Sequence, residues 1–412
     1  MPTPIASCSM AELPVEAPLQ IMLVAGEASG DMHGAKLVAA MREQAPNLAV
    51  CGIGGPALAA QKMEILYDSS RLAVVGIIEV ISHFRFIREA MQSLEKRLRE
   101  QPPHLLILID YPDFNLILAK KAKRLGIPVF YYISPQVWAW RSGRVKTIKK
   151  LVDRMGVILP FEKKFYQARG MEVEYVGHPL MDTVHAATPK TEFLQSLGID
   201  PKSTVIGILP GSRKREIAGM LPVFLAAAEQ MREQLIKPVF LLPLAPTLSE
   251  DDLLANGLAE AGVEVRVIRE NRYDLMAACD AVMAASGTVS LELAILDVPM
   301  VISYRVSPLT YFLGRRLIKV QYASLVNLVA GREVVPELLQ GEAVPEKIAQ
   351  ATVDLVANQA KRTRMLAGLA EVREKLGGPG ASARAARAAL ETAGKNTRRT
   401  KKGISLCPTA PA

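Results

Sequence analysis

HLLILIDYPDFNLILAKKAKRLGIPVFYYIS, residues 104–134, holds two short apolar runs with an amphipathic stretch between them. The first run, HLLILID (104–110), is apolar at successive positions and reads as a buried strand. NLILAKKAKRLG follows as a helix that ends at Gly126, and IPVFYYIS (127–134) is a second strand. Continuous apolar strands alternating with helices indicate a parallel sheet covered on both faces.

The same alternation extends in both directions. LQIMLVAG (19–26) reads as a strand and HGAKLVAAMREQ as the helix after it. The pattern restarts with the strand TVIGILPG (204–211), the helix PVFLAAAEQMREQ, the strands KPVFLLPLAP, VEVRVIR and AVMAASGT, and the helix VSLELAIL. Between the halves lies HAATPKTEF, so the junction falls near 178–203. The expected class is α/β: two consecutive doubly wound, Rossmann-like parallel sheets whose C-terminal strand ends face each other across a cleft. The expected division is a disordered leader (1–18), one domain over 19–180, a second over 181–390 and a basic disordered tail over 391–412.

Composition narrows the function classes. Half of the 412 residues are hydrophobic and only 5% are aromatic, an aliphatic balance that suits a large core. The formal net charge is +9, but KNTRRTKK (395–402) alone carries five positive charges and no acid. No stripe of interleaved basic and aromatic residues appears, so nucleic acid is not an expected partner. Cys8, Cys51, Cys279 and Cys407 form no CxxC pair, which fits a reduced cytosolic protein and gives no metal site. The first eighteen residues hold no Lys or Arg, unlike a secretory signal. No run approaches the roughly 18 apolar residues needed to span a bilayer.

Several turns carry candidate chemistry. AGEASGDMHG (25–34) looks like a phosphate loop, yet Glu27 and Asp31 would repel phosphate; Asp31 is expected to cap the following helix. In LPGSRKREI (209–217), Gly211 permits a tight turn, Ser212 can cap, and Arg213 offers a planar fork to phosphate oxygens. The same stretch also reads as an ordinary strand-to-helix turn with a basic cluster. AASGTVSLELAILDVP (284–299) supplies a second anion-type turn at Ser286, Gly287 and Thr288, with Glu292 one turn into the helix. Glu292 either grips ribose hydroxyls or complements the helix dipole. Two such turns in one domain favour a nucleotide diphosphate.

In IDYPDFN (109–115), Asp110 ends a buried strand, where a desolvated carboxylate can serve as a general base. Asp113 reads as a helix cap. The segment 76–100 begins apolar and becomes a basic amphipathic helix with Arg85, Arg88, Lys96, Arg97 and Arg99, suited to anionic lipid or to an ordinary core helix. SPQVWAWRSGRVKTIKK (134–150) holds both tryptophans and lines an acyl or sugar site or packs a helix.

GEASGD, DYPDFN, SPQVWAWR, VGHPLMD, LPGSR, SGTVSLE and NLVAGREVVPELLQ occur in one order over residues 20–388. Together they resemble the lipid-A-disaccharide synthase family. The resemblance implies the GT-B architecture of two Rossmann-like domains and a metal-independent, cofactor-free transferase. It implies transfer of 2,3-diacylglucosamine from its UDP derivative to the 6-hydroxyl of 2,3-diacylglucosamine 1-phosphate, with inversion and release of UDP. Asp110 would be the base, with Glu27 the second choice. Ser29 and Gly30 would meet the sugar, Arg213 and backbone N–H groups the diphosphate, and Glu292 the ribose. Asn327 and Gln340 match polar positions of the nucleotide-sugar site, and Pro336 would stand at a first helical turn, where proline is tolerated. Lipid substrates further imply a cytoplasmic enzyme peripherally bound to the anionic inner membrane, with Val74 to Ile87 as acyl or membrane contact. A homodimer is compatible with all of this. The rival readings are a UDP-sugar epimerase, which needs no acylated substrate, and a non-catalytic lipid or nucleotide carrier, which would tolerate Asp110→Asn.

Overall fold

The computed structural model describes residues 18–71, 77–306 and 320–403. The first sheet contains β1 (Leu19–Ala25), β2 (Leu48–Gly54), β3 (Glu64–Asp68), β4 (Leu105–Ile109), β5 (Val129–Tyr132), β6 (Arg154–Val157) and β7 (Glu174–Tyr175). Their spatial order is β3-β2-β1-β4-β5-β6-β7. The second sheet contains β8 (Thr204–Leu209), β9 (Pro238–Pro243), β10 (Val265–Ile268), β11 (Ala281–Ala285), β12 (Met300–Tyr304) and β13 (Glu337–Leu339), in the order β10-β9-β8-β11-β12-β13. The described pairings are parallel, as the continuous apolar runs require.

The two orders share a property that places ligands. β1 has β2 on one side and β4 on the other, and β8 likewise lies between β9 and β11. Strand order therefore reverses at β1/β4 and at β8/β11. In open parallel sheets such switch points leave a crevice outside the C-terminal strand ends, because the flanking crossovers depart in opposite directions. Register fixes what stands there: Ala25 pairs with Ile109, and Leu209 with Ala284. Glu27 and Asp110 follow the first pair; Gly211–Arg213 and Ser286–Thr288 follow the second.

Contacts divide the chain into two compact units. One holds the chain as far as Tyr132, Lys150–Arg154 and the C-terminal helix from Ala385; the other holds Ile133–Lys149 and Met155–Arg384. A single boundary at 180/181 does not describe that division, since the chain changes unit more than once.

Two further expectations need correction. The stretch from 391, read as a disordered tail, is helical to Gly403, within a helix that starts at Ala381. Its first half is anchored by buried Ala385, Ala386, Ala388, Ala389 and Ala393, and by Arg154, which pairs with Glu391 at 2.7 Å. Once a helix is nucleated by such contacts, each added residue costs little. Residues 404–412, like the leader 1–17, lie outside the described residues. Pro336, expected at a helix start, instead precedes the edge strand β13, and its carbonyl accepts the Ile302 N–H at 2.9 Å. Proline suits that place because an edge strand can spare an N–H.

Candidate active site

At the first switch point the backbone is strained. β4 is buried along its whole length, and the two residues after it, Asp110 (φ +45°) and Tyr111 (φ +44°), are both left-handed. Non-glycine residues rarely adopt that conformation unless the surroundings enforce it. Here the Asp110 carbonyl accepts the Tyr131 hydroxyl and the Asn115 amide (2.7 Å), and Asn115 also donates to Ile109 O at 3.2 Å. Ile109 pairs with Tyr132, and β5 too breaks into left-handed backbone at its next residue, Ile133 (φ +62°).

Asp110 and Glu27 interact electrostatically. Burial first, and the Glu27 charge second, push the Asp110 carboxyl up to about 6, against a smaller opposing effect of the Tyr111 N–H. Glu27 is half-buried at the start of the helix Ala28–Gln44 and makes no capping bond with its side chain. Gly26 allows this approach: a Cβ there would fall 2.5 Å from the Tyr111 ring.

Other predicted residues of this loop divide. Ser29 is exposed on the first helical turn, whereas Gly30 is buried, 3.4 Å in Cβ terms from Ala25, and so packs against β1. Asp31 does not cap its own helix, because that helix already begins at Ala28. Its buried carboxylate accepts from the N–H groups of Gly55 (2.7 Å), Ala57 (2.9 Å) and Leu58 (3.1 Å), capping the helix Pro56–Ala60 across the turn after β2. Asp113 lies in the first turn of the helix Pro112–Arg124, whose N-cap residue is Tyr111.

At the second switch point, β8 runs into Gly211 (φ +122°) and the helix Lys214–Arg232. The donors expected for a diphosphate are satisfied internally. Glu216 Oε2 accepts from Ser212 N (2.9 Å) and Arg213 N (3.3 Å), while Oε1 takes the Arg213 guanidinium at 3.0 Å. Beyond β11, Ser286 donates to Ala323 O (2.9 Å), and Gly287 faces open space. Thr288 is the N-cap position of the helix Val289–Ile295 and makes no capping bond with its side chain.

Glu292 is buried and bonded to Arg272, with the Tyr273 hydroxyl at 3.5 Å. Burial raises its carboxyl, and the Arg272 charge opposes that rise. Arg272 also lies over the Tyr273 ring, 4.6 Å from its centre.

The remaining two candidates differ. All four hydrogen-bonding positions of the Asn327 amide are used inside the protein: Nδ2 donates to Val335 O and Glu337, and Oδ1 accepts from Val334 N and Val335 N. No position is left for a ligand, so Asn327 shapes the approach to β13. Gln340 (φ +53°) turns its amide to exchange two 3.1 Å bonds with the backbone of Val306, just beyond β12.

Sequence reasoning missed Arg272, Glu216 and Glu162. Glu162 is 1% exposed; it accepts from Trp138 Nε1 (3.2 Å), Ile158 N (3.2 Å) and Leu159 N (2.9 Å), and burial lifts it to about 7. It thus ties SPQVWAW to the helix Pro160–Gln167, and Trp138 meets Phe161 edge-on at 5.0 Å. Trp140 is 45% exposed under the Arg141 guanidinium.

The helix Ile77–Glu100 is present, but the apolar part of the lipid-contact segment, Val74 to Phe84, lies outside the residues whose side chains are described. Along this helix Arg85, Lys96, Arg97 and Arg99 each pair with a carboxylate. Among the described residues no helix is long and apolar enough to cross a membrane, and no group of three or more His, Cys, Asp or Glu stands ready for a metal.

The family model for Lipid-A-disaccharide synthetase matches residues 21–391. The chain belongs to the lipid-A-disaccharide synthase family. The lipid-A-disaccharide synthase of Geobacter metallireducens is 50% identical over 376 residues, 91% of this chain and 98% of the relative. Among solved structures, the glycosyltransferase of kitacinnamycin superposes with a TM-score of 0.63 at 15% identity, covering 91% of this chain and 99% of the other. UDP-GlcNAc 2-epimerase from Neisseria meningitidis, bound to UDP-GlcNAc, gives 0.59 at 14% identity over 91% and 100%. At such identities the structural likeness concerns the fold alone, which is that of GT-B glycosyltransferases. Family and fold together make the chain a glycosyltransferase of lipid A disaccharide synthesis.

Proposed function

We propose that the chain joins UDP-2,3-diacylglucosamine to 2,3-diacylglucosamine 1-phosphate by inverting displacement, giving the β-1,6 disaccharide 1-phosphate and UDP. The acceptor 6-hydroxyl attacks C1 of the donor sugar and gives its proton to Asp110, while the bond from C1 to the diphosphate oxygen breaks. The observation that carries this reading is the Asp110 carboxyl: it directly follows a buried strand at a switch point and is raised to about 6, near working pH. Inversion by one displacement needs a single base, and Glu27 beside it orients a sugar hydroxyl with Ser29.

The departing UDP gains negative charge. Arg213 and the N–H groups of Ser212 and Arg213 stabilise that charge, with Ser286, Gly287 and Thr288 alongside. Glu292 holds the ribose, and Gln340 borders the same site. Gly30 and Asn327 serve packing rather than contact. Both substrates carry acyl chains, so the enzyme works at the surface of the anionic inner membrane on its cytoplasmic side.

Incubation of the protein with both substrates, followed by mass spectrometry and proton NMR of the new linkage, tests the proposal. A β-linked disaccharide phosphate with one UDP per turnover is expected. An α linkage, or UDP release without disaccharide, overturns it. Epimerised UDP-sugar without acceptor would favour the epimerase reading instead.

A further inference from the structure

The donors assigned to the UDP diphosphate already hold an anion, and it belongs to the protein. Glu216 fills the turn after β8: both of its oxygens are engaged by Ser212 N, Arg213 N and the Arg213 guanidinium. The fit is close, since a Cβ on Gly211 would lie 2.4 Å from Glu216 Oε2. The turn itself is held from below by Thr247, which donates to Ser212 O at 2.6 Å. Burial raises the Tyr304 hydroxyl at the end of β12, and the Glu216 and Arg213 charges reach it with opposite signs.

We infer that the Glu216 carboxylate is an internal competitor for the diphosphate site, displaced when UDP or the UDP-sugar binds and returning as UDP leaves. The inference rests on the nucleotide reading above. Two anions cannot share the same three donors without strong repulsion, so the diphosphate takes the Ser212 and Arg213 N–H groups only as Glu216 withdraws. Glu216 thereby lowers affinity for the diphosphate but not for the nucleoside. It keeps the anion cradle satisfied between turnovers and speeds product release.

Calorimetric titration of the full chain with UDP and with uridine tests this. Glu216→Gln keeps the cap on the helix but removes the charge. It should bind UDP about tenfold more tightly, the size of one screened like-charge contact, with uridine affinity within about twofold of the parent. UDP inhibition of turnover should tighten in parallel. An unchanged ratio of UDP to uridine affinity, or a ratio shifted against UDP, overturns the inference while leaving the nucleotide site intact. Failure of the unaltered protein to bind either ligand instead overturns the nucleotide reading. A crystal structure of the unaltered protein with UDP decides independently of any variant. Glu216 should have left the Ser212 and Arg213 N–H groups, and a carboxylate still bonded to both beside the diphosphate would refute its displacement.

Discussion

Two half-buried carboxylates stand at the first switch point, and Asp110 is the proposed base. Asp110 is raised to about 6 by burial and then by the Glu27 charge. A carboxyl raised in this way is protonated below about 6 and ionised above it, and a base acts only when ionised. kcat/KM should therefore climb about tenfold per pH unit below that value and level off above it. Glu27→Gln removes one of the two causes, so the acid limb should move to lower pH with most of the plateau kept. If Glu27 were the base, the plateau itself would fall by about 10²–10⁴. Asp110→Asn should show that fall while calorimetric UDP binding is unchanged; an active Asp110→Asn enzyme would remove Asp110 from the mechanism. A pH–rate series on the three proteins reads all of these outcomes.

At the scale of elements, the link between SPQVWAW and the helix Pro160–Gln167 is a buried acid. Glu162 goes from an ordinary carboxyl in the unfolded chain to about 7 in the folded one. A raised carboxyl favours the protonated fold. Its contribution is complete below about 4.5 and is lost as pH rises through about 7, a change on the order of 3 kcal/mol. Glu162→Gln cannot ionise, so its stability relative to the parent should improve from pH 5 to pH 8. Urea denaturation at several pH values measures this, and a constant difference would contradict it. Trp138 fluorescence in a Trp140→Phe background should shift over the same range only when Glu162 is present.

Such partners also mark where the sequence stopped being legible. β1, β4, β8 and β11 were readable because a buried parallel strand is a local apolar run, and the turns after them because Gly, Ser and Asp state their backbone preferences locally. Asp31 was misplaced since its three N–H partners lie 24 to 27 residues away. Arg272 and Trp138 were missed as partners for the same reason: they stand 20 and 24 residues from Glu292 and Glu162. β13 spans three residues, too few for any periodicity to register.

The charge of the whole molecule is unevenly placed, and this bears on how it meets lipid substrates. Of the formal +9, five charges belong to 395–402, leaving +4 for the other residues. The alternative basic surface, on the helix Ile77–Glu100, is partly neutralised by its own Glu partners. Exposed pairs of this kind bind weakly and do not forbid lipid contact, but they leave less unopposed charge. The C-terminal helix is therefore expected to supply most of the electrostatic attraction to an anionic bilayer, each basic residue near the surface contributing about 1 kcal/mol. A chain ending at Gly394 should lose at least about tenfold in sedimentation with phosphatidylglycerol vesicles at low salt. The difference should vanish in about 0.5 M NaCl, where screening acts over a few ångströms. Turnover of substrates dispersed in neutral detergent should be the same for both chains, since neither switch point is touched. Equal vesicle binding at low salt would remove the tail from this role. Binding that survives salt in both chains would shift the weight to the apolar segment at 74–87.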